Sequence, residues 1–424
     1  MITSVEQDIV EKIDDLQENM VKFLQELVRI PSVNPPGEGY HQCAELLGDK
    51  LKLLGFDTQY VIAENHPDHS KKYPRVNLVG RLNGDLPMPT LHFNGHTDVV
   101  PAGANWTVDP FQGIVKDGKI YGRGTSDMKG GLVAALFAVA AIREADIELR
   151  GSLEYSATVD EETGGFAGMD YLARKGWISP ERTSYVIIPE PFGPNRICLG
   201  HRGVYWFQID TFGRTAHGSM PFLGVNAISL MGRILREIES KLMPVISNRI
   251  TNMPVEPPEA RYATINVNGI VGGQKGPSVG SPCVVDHCSA IFDRRYLKEE
   301  SFSDVKKEIE DLLSTLAQED SNFSSEVSDL MVVHPVETDP NTKLVQTTAQ
   351  TIEELIGDST QFVASPGTYD HKHVYNTGRV KQCIAYGPGL LHLAHQPDEY
   401  CSIDDLVQSC KVMALTMVRL LGIK

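Results

Sequence analysis

Residues 90–101 read TLHFNGHTDVVP, and the fold follows from them. Thr90 to Asn94 is a predicted strand, closed by a turn at Gly95-His96. His96-Thr97-Asp98 then stands at the carboxyl end of that strand. A series of acids and histidines continues the theme at Asp127, Glu161-Glu162, Glu190 and His395. Two histidines with several carboxylates and no cysteine form a hard-to-borderline ligand set. Such a set suits two divalent metals that share a bridging carboxylate.

Strands and helices alternate around this stretch. Strands are expected at 57–61, 77–82, 151–158 and 184–188, and helices at 42–54, 128–144 and 169–175. The alternation implies an α/β fold with a mixed, mainly parallel sheet flanked by helices. In such sheets sites gather beyond the carboxyl ends of strands. His96, Glu161 and Glu190 each follow closely on a strand. The middle of the chain has another texture: strands at 204–212, 263–270 and 285–292, helices at 224–238 and 302–316. This reads as an inserted α+β domain. The expected division is residues 1–203 and 334–424 for the catalytic domain, with 204–333 as the insert.

At 424 residues the chain is too long for one ordinary core. The formal net charge of −16 repels nucleic acid and anionic membranes, so neither is expected as a partner. The N-terminal 30 residues carry charge throughout and have helical spacing, unlike a secretory signal. The apolar run 130–142 is too short to span a bilayer. Seven cysteines without a CxxC pair fit reduced thiols, and with them a cytoplasmic location.

Each chemistry-bearing residue has a plainer reading beside the functional one. His96 is either a strand cap or a metal ligand whose other ring nitrogen Asp98 holds. Asp127, in the glycine-rich run 122–131, is either a helix N-cap or a carboxylate bridging two ions. Glu161 and Glu162 are either a solvated acidic turn or a general base beside a ligand, since adjacent side chains point differently. Glu190 and His395 are further ligand candidates. His217 lies in the inserted domain and could donate to a developing oxyanion.

With these residues in place the chain resembles the co-catalytic metallohydrolases that include aminoacylase, acetylornithine deacetylase, succinyl-diaminopimelate desuccinylase and glutamate carboxypeptidase. The matching segments are GHTDVVP at 95–101, GRGTSDMKGG at 122–131, TVDEETGG at 158–165, PEP at 189–191, AHGSMP at 216–221 and AHQPDEY at 394–400. The resemblance implies a zinc-peptidase-like catalytic domain and an inserted lid that makes a homodimer. It places His96 and Glu190 on one ion, Glu162 and His395 on the other, and Asp127 between them. It makes Glu161 the base and Asp98 the orienter of His96. The histidine matching His217 polarises the scissile carbonyl, often from the partner subunit. The two ions are expected to be Zn²⁺, with Co²⁺ or Mn²⁺ as alternatives.

The implied reaction is attack of a metal-activated water on the amide of a small N-acyl substrate. Substrate residues depart from the pattern. Gly367-Thr368-Tyr369-Asp370-His371-Lys372 carries a lysine where the family has an arginine for the substrate carboxylate, so the two-pronged fork is lost. Val279 replaces a usual asparagine, and Lys298 a usual proline. Arg295 keeps the family's position for gripping an anion, and His371 with His373 could line a pocket for an aromatic group. A deacylase is therefore the first expectation. A deformylase of a formylated aminopyrimidine and a dipeptidase or carboxypeptidase are the alternatives. A non-catalytic binding protein would show eroded ligands, and none of the five ligands or Glu161 is missing.

Overall fold

The computed structural model describes residues 2–273 and 282–424. Val279 lies outside the described residues. Two compact units are formed. One comprises Met1–Gly200, Glu337–Val363 and Tyr369–Lys424, and the other His201–Val336 with Ala364–Thr368. The short Ala364–Thr368 segment thus groups with the second unit, whereas the sequence assigns it to the catalytic domain. Its amides and carbonyls explain the difference: Glu256 donates to Ala364, which donates back to Pro254.

In the first unit the strand Thr90–His96 sits at the centre of a mixed sheet. It pairs in parallel with Ser152–Thr158 on one side and Tyr185–Ile188 on the other. Cys383–Ala385 continues the parallel set next to Tyr185–Ile188. Val76–Leu82 and Asp57–Ile62 close one edge antiparallel. All seven residues of Thr90–His96 and of Ser152–Thr158 are buried, as expected of strands covered on both faces. Polar side chains occupy one face of this pair, and they are hydrogen-bonded to each other: His92 with Glu154 and Ser156, and Asn94 with Ser156 and Asp370.

The helix Gly130–Glu144 is apolar all round, and Gly130 to Ile142 are all buried. With the turn before it, the stretch Thr125–Glu144 is long and apolar enough to cross a membrane by length and composition alone, but it lies almost wholly inside the protein, as a core helix does. Gly131 is there for a close approach: a Cβ would collide with the carbonyl oxygen of Pro189, next to Glu190. The long helix Ile403–Leu421 packs on it. The helical spacing of the N-terminal 30 residues forms two helices, Ser4–Asp15 and Gln17–Val28, separated at Leu16. The seven cysteines form no disulfide with one another.

The second unit is a four-stranded antiparallel sheet in the order Thr264–Gly272, His287–Tyr296, Gly203–Phe212, Ser325–Val333. Ala227–Glu237 and Phe302–Glu319 contribute Leu230, Met231, Ile234, Val305, Ile309 and Leu313 to its core. The strand Ser325–Val333 was not foreseen; its sequence SEVSDLMVV has little apolar–polar alternation, and a single residue, Val333, is buried.

Candidate metal centre

His96 is the last residue of its strand and is 1% exposed. Its Nδ1–H donates to the backbone carbonyl of Asp98 at 2.9 Å. A carbonyl can only accept, so the proton on Nδ1 is fixed and Nε2 is turned to the site. There Nε2 lies 3.1 Å from Asp127 Oδ1 and 4.0 Å from Glu190 Oε1. Asp127 presents its second oxygen elsewhere: Oδ2 is 3.5 Å from His395 Nε2. That nitrogen is in turn 3.0 Å from Glu162 Oε2. Each oxygen of Asp127 therefore faces a different histidine–carboxylate pair. His96, Asp127 and Glu162 each offer a ligand atom within 4.8 Å of the others.

Local backbone sets these directions. Asp127 is not the helix cap that sequence reading allowed. Its φ/ψ of −116°/95° is extended, and the regular helix begins three residues later at Gly130. His395 stands at φ 64°, in the left-handed region. Glu161 and Glu162 open a short 3₁₀ turn after Asp160, itself at φ 62°.

Asp98 was expected to orient His96, and it meets His96 with two groups. Its carboxylate is 3.6 Å from His96 Nδ1, farther than its own carbonyl. It accepts from the amides of Glu161 at 3.3 Å and Glu162 at 3.2 Å, and from Asn34 Nδ2 at 3.1 Å. Asp98 thus holds the Glu161–Glu162 turn with its carboxylate and His96 with its backbone. Asn34, which sequence reading missed, ties that carboxylate to Thr163 Oγ1 at 3.0 Å.

Charge crowding follows. Burial pushes Glu161 up to about 8; Lys372 and His96 oppose the rise, while Asp370 and Glu162 add to it. Burial and the neighbouring Asp127 also raise Glu162 and Glu190. Burial would raise Asp127 too, but hydrogen bonds from His395 and His96 outweigh it and lower it. Hydrogen bonds to Asp127 and Glu162 lift His395 to about 10. Burial opposes a rise at His96, but its bond to Asp127 and the nearby Asp98 carboxylate outweigh it and raise it. In the chain alone, protons hold this acid cluster together. A divalent cation bound by imidazole nitrogen and carboxylate oxygen takes the place of such protons, so the donor set fits the expected group.

The remaining candidates lie as follows. Lys372 is buried and its Nζ is 3.7 Å from Glu161 Oε1. His371 and His373 both have partners inside the first unit. His371 is wholly buried against Tyr369 and Thr338, and burial pushes it down to about 3. His373 Nε2 donates to the carbonyl of Gly164 at 2.7 Å, so it braces the turn that carries the glutamates. In the second unit, His217 is exposed, with Ser219 Oγ 2.7 Å from its Nδ1. Arg295 is paired with Asp293, to which its Nε and Nη2 donate at 2.7 and 2.9 Å. Gly367 donates to Ser365 Oγ at 3.2 Å, and Thr368 is half-buried beside it.

A parallel-sheet scaffold presenting histidines and carboxylates beyond its strand ends defines a metal-binding hydrolase. The chain belongs to peptidase family M20/M25/M40, whose pattern matches residues 92–419. Two relatives are similar over nearly their whole length. A probable succinyl-diaminopimelate desuccinylase of Staphylococcus epidermidis is 27% identical over 92% of this chain and 94% of its own. The N-formyl-4-amino-5-aminomethyl-2-methylpyrimidine deformylase of Bacillus subtilis is 28% identical over 95% and 94%. The fold matches human carnosine dipeptidase 1 with a TM-score of 0.75 and 19% identity, over 99% of this chain and 100% of that one.

Proposed function

We propose that the protein is a two-metal amidohydrolase that removes an acyl group from a small N-acylated amine or amino acid. The observation that carries this reading is Asp127, whose two oxygens lie 3.1 and 3.5 Å from two different histidines. His96 and Glu190 would hold one ion and His395 and Glu162 the other, Zn²⁺ before Co²⁺ or Mn²⁺. When bound, the ions polarise an amide carbonyl and acidify a water. Glu161, free of any role as ligand, takes the proton of the attacking water and returns it to the leaving nitrogen. Asp98 and His373 keep Glu161 in place for both transfers. Lys372, beside Glu161 Oε1, favours the charged form of the base.

A second reading has its own support. The two residues expected to read a substrate carboxylate are engaged within the protein, Lys372 with Glu161 and Arg295 with Asp293. This favours a substrate without a carboxylate, and the Bacillus subtilis relative is named for a formylated aminopyrimidine. Cleavage rates on N-acyl amino acids, a formylated aminopyrimidine and dipeptides separate the readings. Exclusive dipeptide cleavage would contradict both. A homodimer is part of the same proposal, and the mass in solution by light scattering checks it.

A further inference from the structure

The carboxylate of Glu399 has no role in the reading above, yet it is the most heavily bonded acid near the site. It is wholly buried. Its Oε1 accepts three backbone amides, Gly124 at 3.0 Å, Ser126 at 2.9 Å and Asp127 at 3.1 Å. Its Oε2 accepts from Arg123 Nη1 at 2.6 Å, and its backbone carbonyl accepts from Gly122 at 2.9 Å. Five donors from residues 122–127 therefore converge on one residue. Arg123 spreads the anchorage further, donating to the carbonyls of Gln396 at 3.2 Å and Ala102 at 3.1 Å.

Two features make this more than loop packing. Asp127 has extended backbone angles and precedes the first regular turn of its helix, so no helical ladder fixes its direction. The amides at 124, 126 and 127 would otherwise have to find partners in a buried place, at about 1–3 kcal/mol each if they failed. Glu399 also lies four residues beyond His395, on the same loop. One carboxylate thus joins the backbone that carries the proposed bridging ligand to the loop that carries its histidine partner. On the other side of the site, His96 is held by the end of its strand and by the Asp98 carbonyl, without Glu399.

We propose that Glu399 is a positioning residue that sets Asp127 against His395 and so governs metal binding on the His395–Glu162 side. The proposal rests on the reading of Asp127 and His395 as ligands. A carboxylate is required because every partner is a donor. In Glu399→Gln, the amide NH₂ would face either the three backbone N–H groups or the Arg123 guanidinium, and either arrangement sets donors against a donor.

The test is a titration of metal-stripped protein with Zn²⁺ against a chromophoric chelator, with the melting temperature of the stripped protein measured alongside. Wild type is expected to take two equivalents. Glu399→Gln is expected to bind one equivalent about 10–100-fold more weakly, the usual effect of losing support behind a ligand, and to weaken the other clearly less, because Asp127 also faces His96 but His96 is held without Glu399. Glu399→Asp keeps the charge but falls one methylene short. It should show the same selective loss, and it serves if the glutamine variant does not fold. Unchanged affinity for both equivalents overturns the proposal. So does equal weakening of both with a lowered melting temperature, which marks a merely structural role. Fewer than two equivalents in wild type would defeat the two-metal reading itself, and the proposal with it.

Discussion

Replacing Asp98 by asparagine tests whether this residue acts through the glutamate turn. Its carboxylate accepts three hydrogen bonds, from the amides of Glu161 and Glu162 and from Asn34, at 3.1–3.3 Å. Asparagine offers one accepting oxygen, and its NH₂ would point at donors on the other side. With its oxygen in the place of Oδ2 it keeps Glu162 and Asn34 and leaves the Glu161 amide without an acceptor, at a cost of about 1–3 kcal/mol. Part of this cost would be relieved by movement of the 160–165 turn. A displacement of about 1 Å at the base is enough to slow turnover about 100-fold. His96 keeps its hydrogen bond throughout, because that bond goes to the backbone carbonyl of residue 98. The expected result is a kcat about 100-fold lower in fully metal-loaded protein, with His96-side metal affinity close to wild type. Steady-state kinetics at saturating metal, paired with a Zn²⁺ titration, measures both. If the variant lost metal on the His96 side while kcat per loaded site stayed at wild-type level, Asp98 would be acting on the imidazole and the present account of it would be refuted.

Two other perturbations are informative. Glu154 is wholly buried between His92, Arg81 and Arg182; burial alone would raise it, but these partners lower it to about 2. A depressed carboxyl stabilises the fold above its unfolded pKa and loses that effect as pH falls towards the folded value. The contribution, at most about 3 kcal/mol from a shift of that size, is therefore complete above about pH 4.5 and fades towards pH 2. The melting-temperature gap between wild type and Glu154→Gln should be full at pH 7 and shrink below pH 4.5; a gap constant with pH would contradict the ion-pair account. Gly131→Ala forces its Cβ against the Pro189 carbonyl, so it should lower the melting temperature and weaken metal binding at the Glu190 side. Unchanged melting and binding would show that the helix and the Pro189–Glu190 turn can separate at little cost.

The parts legible in the sequence are those whose signal is local. The strand Thr90–His96 is a buried run ended by a glycine turn, and the parallel core follows from the alternation around it. The ligand residues stand at strand ends, where an open α/β sheet collects its chemistry. What was not legible depends on distant backbone. That the Asp98 carboxylate serves residues 161 and 162 is visible only once two strand ends lie side by side. Asn34 and Glu399 act on segments 64 or more residues away. The one hint for Glu399 is an acid directly before the short strand Tyr400–Ser402, where an exposed acid would be out of place. His371 and His373 carry no local signal of what they touch. Their partners, Thr338 and Gly164, come from elsewhere in the chain.

The central claim is that two divalent ions and a separate base, Glu161, perform the hydrolysis. Metal content and turnover measured together on wild type and Glu161→Ala test it most directly. The account predicts two ions per chain in both proteins and a loss of turnover of about 100- to 10,000-fold in the variant, the range general-base catalysis supplies. A wild type active with a single ion, or a Glu161→Ala variant that keeps wild-type turnover, would contradict it.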